Sequence, residues 1–209
     1  MRPTEIAINA IVKQSSALAT MAHVINEKQG LYNTILQTMR GPGLSNYQGR
    51  LIITGVGKNA NIATKASETM ASLGIPSLYL NTAHYSHGDA GFIGPDDVVV
   101  HISRSGKTEE MIGCSMHLRK IRPGVKQILL HCNPDIPQNC LDCFDLSFCT
   151  GKAIEVDENA LAPTMSTTLL LALIDTFAIN LSRERGFTPN DFLTFHPGGA
   201  LGQMLRGEE

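Results

Sequence analysis

Three hydroxyls, a glycine and a lysine fall within six residues of the segment HISRSGKTEE, residues 101–110. Ser103, Ser105 and Thr108 each bring an O–H donor, and Gly106 admits backbone conformations closed to other residues. The segment stands where the apolar run DVVV gives way to MIGCSMHLRKI, whose spacing is helical. A strand-to-helix turn of this kind aims the free N–H groups and the positive end of the helix dipole at the loop. That is the chemistry of a phosphate-monoester site. Capping a helix needs only Thr108, with Glu109 and Glu110 in the first turn; it has no use for Ser103 and Ser105. Lys107 adds a cation to the loop or points to solvent.

A second loop, GVGKNA, sets Gly55, Gly57 and Ala60 at the G-x-G-x-x-A spacing of a dinucleotide-binding turn. The following strand segment, SLYLN, ends without the acid that would hold an adenine ribose. A P-loop is excluded by spacing, since Asn59 follows Lys58. There remains a glycine turn at Gly57 that lets backbone approach a ligand, with Lys58 as a cation, or else a tight turn with a solvated lysine. HYSHGD supplies His84, His87 and Asp89; AIEVDENALAPT supplies Glu155, Asp157 and Glu158; FHPGGALG supplies His196. Singly, a loop histidine reads as a surface residue and a glutamate before a helix as a dipole partner. Together with phosphate donors they suit proton transfer on a phosphorylated metabolite.

The elements that must position these residues follow from periodicity. Residues 4–39 read as helix with a break near Gly30, ended by Gly41, Pro42 and Gly43. Strand-like runs at 50–57, 76–81, 96–103, 126–132 and 145–150 alternate with helical runs at 59–74, 108–121 and 163–186. Gly74 is expected as a helix C-cap, and a final short helix within 189–205. Continuous apolar strands separated by helices predict a single α/β domain: a doubly wound parallel sheet flanked by helices, with an N-terminal helical arm over about residues 1–43. Ligands of such sheets bind beyond the carboxyl ends of the strands, where the serine and glycine loops lie.

Bulk properties narrow the function class. The 209 residues are 43% hydrophobic and 17% charged, with a formal net charge of −2. No basic block suggests a nucleic-acid surface. The first residues hold no apolar signal core, and the greasiest segment, TTLLLALIDTFAINL, is interrupted by Asp175 and short for a bilayer. A cytoplasmic location is expected, with no membrane contact. The five cysteines, an odd number, read as free thiols. The CLDC pair lacks a second ligand pair at zinc spacing, so no metal is expected.

GVGKNANIATKASETMASLGIPSLYL, HGDAG, ISRSGKTEEM, LAPTMSTT and FTPNDFLTFHPGGALG together resemble the sugar isomerase (SIS) domain family over about residues 51–205. More narrowly they resemble the D-arabinose 5-phosphate isomerases, which interconvert D-ribulose 5-phosphate and D-arabinose 5-phosphate. That reaction feeds synthesis of the lipopolysaccharide sugar Kdo. The resemblance implies a flavodoxin-like three-layer SIS fold and a homotetramer with shared active sites. It implies no cofactor. Many relatives continue into paired CBS domains, which are expected to be absent here.

The resemblance implies a phosphate cradle of Ser103, Ser105 and Thr108, with Gly57 and Gly106 shaping the substrate loops. It implies a catalytic set of Lys58, His87, Glu110, Glu155 and His196. The reaction passes through a cis-enediol and needs a base at C1/C2, a relay between O1 and O2, and a charge on the enediolate. Glu155 is assigned the base, tuned upward by burial and acidic neighbours. His87 and His196 are assigned ring opening and the relay, Lys58 the oxyanion or the phosphate, and Glu110 the orienting of Lys58 or a histidine. His196 is expected at its own sheet edge or at a neighbouring subunit's site. The chain departs from the family pattern at Arg104 and Lys107, where N-S-G-E is usual, at G-K-N-A in place of G-K-S-G, and in the acidic Glu155 loop. Two other readings remain: a non-catalytic sensor of a phosphosugar or nucleotide sugar, and an SIS isomerase of another sugar phosphate. A sensor has no need of Glu155, His87 and His196 together.

Overall fold

The computed structural model describes residues 2–41 and 49–197. Two helices, α1 (Pro3–Glu27) and α2 (Gln29–Arg40), precede the strands. The break falls at Lys28, two residues before the expected Gly30, which instead lies inside α2 with open space around it. Then come β1 (Leu51–Gly55), α3 (Lys58–Ser72), β2 (Ser77–Asn81), β3 (Val98–Ser103), α4 (Glu109–Ile121), β4 (Lys126–His131), the short α5 (Gln138–Leu141), β5 (Leu146–Cys149), α6 (Met165–Glu184) and α7 (Pro189–Phe195). Two 3-10 turns, Thr82–His87 and Asp89–Phe92, link β2 to β3. The final short helix expected within residues 189–205 is α7, and residues 198–205 lie outside the described residues.

All strands are parallel, in the order β2-β1-β3-β4-β5. This is the doubly wound arrangement that the continuous apolar strands predict. β1 and β3 are buried along their whole length, which is why their sequences do not alternate in polarity. Successive side chains still go to opposite layers. Leu51, Ile53, Val98, Val100, Ile128, Leu130 and Phe148 meet α2, α3 and α6 on one face. Ile52, Val99 and Leu129 meet α4 and the loops around it on the other.

The greasy segment is the core helix α6. It is long and apolar enough to cross a bilayer, but Leu169, Leu170, Leu173, Ile174, Phe177 and Leu181 are buried against the sheet. Its Asp175 pairs with Lys65 of α3 at 2.6 Å, and Phe177 stacks on Tyr32 of α2 at 4.4 Å between ring centres. Gly74, at φ +73°, ends α3 as expected: Ile75 N–H reaches back to the Met70 carbonyl at 2.9 Å. A side chain at Gly74 would strike Phe187, so the segment leading into α7 packs against the end of α3.

Candidate active site

α3 leaves β1 for one face of the sheet and α4 leaves β3 for the other, so a crevice opens between the carboxyl ends of these two neighbours. Gly55 at the end of β1 is in register with Asn81 of β2 and Ile102 of β3. With strands about 4.8 Å apart, the loops carrying Lys58, His87 and the serines share one sheet edge. Gly57, at φ +62°, makes the turn into α3, and Lys58 is exposed at that helix's first position. Thr82 Oγ1 donates to the Gly55 carbonyl at 3.2 Å, which ties the turn ending in exposed His87 to the glycine loop.

The serine loop closes on itself. Ser103, buried at the end of β3, accepts the Gly106 N–H on Oγ at 3.0 Å and lies 3.1 Å from Thr108 Oγ1. Ser105 Oγ accepts the Lys107 N–H at 3.1 Å. Gly106 sits at φ +67°, and a Cβ there would lie 2.1 Å from Ile136 Cδ1. Thr108 occupies the position before α4, yet its hydroxyl makes no capping hydrogen bond to that helix. This corrects the expectation that Thr108 caps: its oxygen turns to Ser103. The first-turn N–H groups of α4 therefore face the loop without a side-chain cap, alongside exposed Glu110.

Glu155 is the most enclosed of the expected catalytic residues, its side chain 0% exposed. The loop after β5 crosses the sheet edge and brings its carboxylate under the start of α6. Oε2 accepts from the Thr164 N–H (2.7 Å), Thr164 Oγ1 (3.2 Å) and the Ser166 N–H (3.2 Å). Oε1 accepts from Ser166 Oγ and forms an ion pair with Arg104, whose Nε lies 3.1 Å away. Glu155 thus caps α6 from nine residues away in sequence, while Thr164, in the local cap position, caps nothing. Burial pushes the carboxyl up; the bonds from Ser166 and Thr164, with Arg104 beside it, outweigh burial and hold it below its ordinary value. The expected upward tuning is corrected: the residue is kept ionised. No local sequence signal marks Thr164 and Ser166 as its donors. Arg104, conspicuous in sequence only as a departure, is its counter-ion.

The structure does not bring His196 to this edge of its own sheet. Its ring stacks on Phe192 at 3.8 Å and its Nδ1 bonds to the Phe192 carbonyl at 2.8 Å. Phe195 approaches Gly74 at the far end of α3, whose first turn is at the serine-loop edge. The rest of the HPGGALG element, residues 198–202, lies outside the described residues. Cys140 and Cys143 are free thiols, as are Cys114, Cys132 and Cys149.

Comparison with known proteins agrees with the fold. The family model for the SIS domain matches residues 44–180. The arabinose 5-phosphate isomerase KpsF of Escherichia coli is 35% identical over 195 residues, 93% of this chain and 56% of that protein. The arabinose 5-phosphate isomerase KdsD of Pseudomonas aeruginosa is 40% identical over 158 residues, 76% of this chain and 47% of that one. The chain spans about half the length of these curated relatives. An E. coli CFT073 protein solved in complex with arabinose 5-phosphate superposes with a TM-score of 0.79 at 30% identity, covering 94% of this chain and 100% of that one. The sheet order, the serine loop at its β1–β3 crevice and the family match over residues 44–180 place this chain in the SIS domain family.

Proposed function

We propose that this chain is an aldose–ketose isomerase that interconverts D-ribulose 5-phosphate and D-arabinose 5-phosphate. The carrying observation is the serine loop, whose hydroxyls adjoin the uncapped N-terminus of α4 at the sheet edge that also holds Lys58, His87 and Glu110. The names of the relatives given above support the choice of pentose. Ser103, Ser105 and Thr108 hold the phosphate at one end of the crevice, which fixes the sugar's C1 and C2 at the other. Glu155 takes a proton from C1 of the ketose while a relay puts one on O2; the cis-enediol returns a proton to C2 and loses one from O1, with no net change. Lys58 stabilises the enediolate oxygen. His87 serves ring opening and the relay. A carboxylate kept ionised starts in the form a base needs, and its donors must loosen as the proton arrives.

A second assignment of the base rests on one observation: Glu155 is enclosed with both oxygens engaged, whereas Glu110 is an exposed carboxylate at the same edge. Glu155→Gln and Glu110→Gln, assayed for ribulose 5-phosphate consumption, decide between them. Near-wild-type turnover in the first removes Glu155 from the base role. Appearance of D-arabinose 5-phosphate by NMR tests the reaction itself, and turnover of only a hexulose or heptose phosphate would overturn the pentose assignment.

We place the protein in a homo-oligomer, a tetramer with shared active sites, and in the cytoplasm. The first turns of α1 leave Ile8 and Ile11 64% and 67% exposed, and Ile6 and Val12 more than half exposed. His196, remote from its own chain's serine loop, is assigned to a neighbour's site. Mixing inactive His196→Ala and Glu155→Gln chains should restore part of the activity, and no restoration would refute shared sites. Five free thiols fit a reducing compartment.

A further inference from the structure

On the side of the serine loop away from β1 lies a cavity of about 190 Å³, lined by Arg104, Ser105, Lys107, Cys132, Asn133 and Lys152. Of the cradle residues only Ser105 lines it; Ser103, Thr108 and the glycine loop do not. Its walls come from the loops after β3, β4 and β5, whereas the cradle opens toward β1. Three cations converge here in a chain of net charge −2, and no acid lines the cavity. Lys107 and Lys152 form no ion pair among the described residues. Arg104 pairs with Glu155, with Nε 3.1 Å from Oε1, and its side chain is 44% exposed.

The floor is fixed in place. Asn133 Nδ2 donates to the Ser105 carbonyl at 3.0 Å, and the Cys132 N–H donates to the Arg104 carbonyl at 3.1 Å. Two lysines without acid partners, beside a part-exposed guanidinium and over a concave polar floor, are a ready receptor for an oxyanion. Pockets for whole ligands run to roughly 300 Å³ and more, so this one suits a phosphate-sized group rather than a nucleotide.

We propose that this cavity is a second oxyanion site, back to back with the serine cradle and sharing Ser105 with it, that takes a phosphate-class group and competes with Glu155 for the Arg104 guanidinium. The occupant is either a free oxyanion or a second phosphoryl group on the ligand held in the cradle. In both cases it loosens the hold of Arg104 on Glu155.

Calorimetric titration of the full chain with inorganic phosphate tests this. Two phosphates should bind per chain, and one should remain when D-arabinose 5-phosphate fills the cradle. The double variant Lys107→Ala/Lys152→Ala, both exposed positions, should weaken that second phosphate at least about tenfold. A single phosphate per chain, or a second one indifferent to the double variant, overturns the proposal. Glu155→Gln should tighten the second phosphate about threefold or more by freeing Arg104, and Arg104→Ala should weaken it. Unchanged affinity in both overturns the competition. A pentose bisphosphate separates the sources: one molecule displacing both phosphates assigns a second phosphoryl group, and displacement of one assigns a free oxyanion. If D-arabinose 5-phosphate fails to bind, the isomerase reading falls, while the phosphate stoichiometry still decides this one.

Discussion

Replacing Glu155 by Gln separates the two tasks that the structure gives this carboxylate. The amide carbonyl can take the place of Oε2 and keep the bonds from Thr164 and the Ser166 N–H. Ser166 Oγ can rotate to accept from the amide nitrogen. Arg104 is left with N–H facing N–H. What disappears is the charge, and charge-assisted bonds are roughly twice as strong as neutral ones. Halving two or three buried bonds of about 1.5–3 kcal/mol, which are not additive, costs about 2 kcal/mol. The Arg104 pair adds little, because its guanidinium is 44% exposed. For a chain of this length that is a fall in Tm of roughly 4–8 °C at pH 7. The sign with pH follows from the folded carboxyl lying below its ordinary 4.5. Its contribution is complete above the unfolded value and is lost as pH falls through the lower folded one. The gap in Tm between wild type and variant should therefore narrow from about pH 4.5 downward. Scanning calorimetry from pH 7 to pH 3 reads it. Equal melting at pH 7, or a gap that persists undiminished at pH 3, would refute the account of Glu155 as a buried ionised cap.

Three further outcomes are expected. Gly106→Ala meets a positive φ and the Ile136 side chain, so it should cost about 2–4 kcal/mol by urea unfolding and raise KM for the sugar phosphate; a cost under about 0.5 kcal/mol refutes the tight turn. Burial holds His101 and His131 neutral, with pKa values lowered to about 4, in His101 against the bond its Nε2 donates to Gln127 Oε1. Their contribution is full above the unfolded value near 6.5 and drains away as pH falls toward 4, with a slope of up to about 2.7 kcal/mol per pH unit for the pair, so unfolding measured across that window should show it and His101→Gln should flatten it. Ile8→Lys with Ile11→Lys should lower the mass measured by light scattering while the circular dichroism stays native, and an unchanged mass refutes α1 as a subunit contact.

Much of the site was legible locally because its parts are local. Glycines that need positive φ announce turns wherever they occur, as Gly57, Gly74 and Gly106 do. The serine loop carries its donors within six residues, and the helix that follows it is written in its own periodicity. The resemblance then supplied roles for positions that periodicity cannot rank. The break at Lys28 rather than Gly30 shows the limit of a propensity argument: α2 is held by Tyr32, Ile35, Leu36 and Met39 packing into the core, which outweighs the cost of an exposed glycine in its first turn.

The sequence by itself determined the order and type of the elements, the parallel doubly wound sheet and the edge where the serine and glycine loops gather. It did so because burial pattern and turn chemistry act over a few residues. Only the tertiary structure decided which group meets which. Thr108 turns from its helix to Ser103, and Glu155 becomes the cap of α6 with Arg104 as counter-ion. His196 lies at the far end of α3 from its own serine loop. A carboxylate's pKa depends on donors that arrive from another loop, and a cation's role on the loops that wall it in. Both are settled by chain crossings over the sheet edge, which no local pattern encodes.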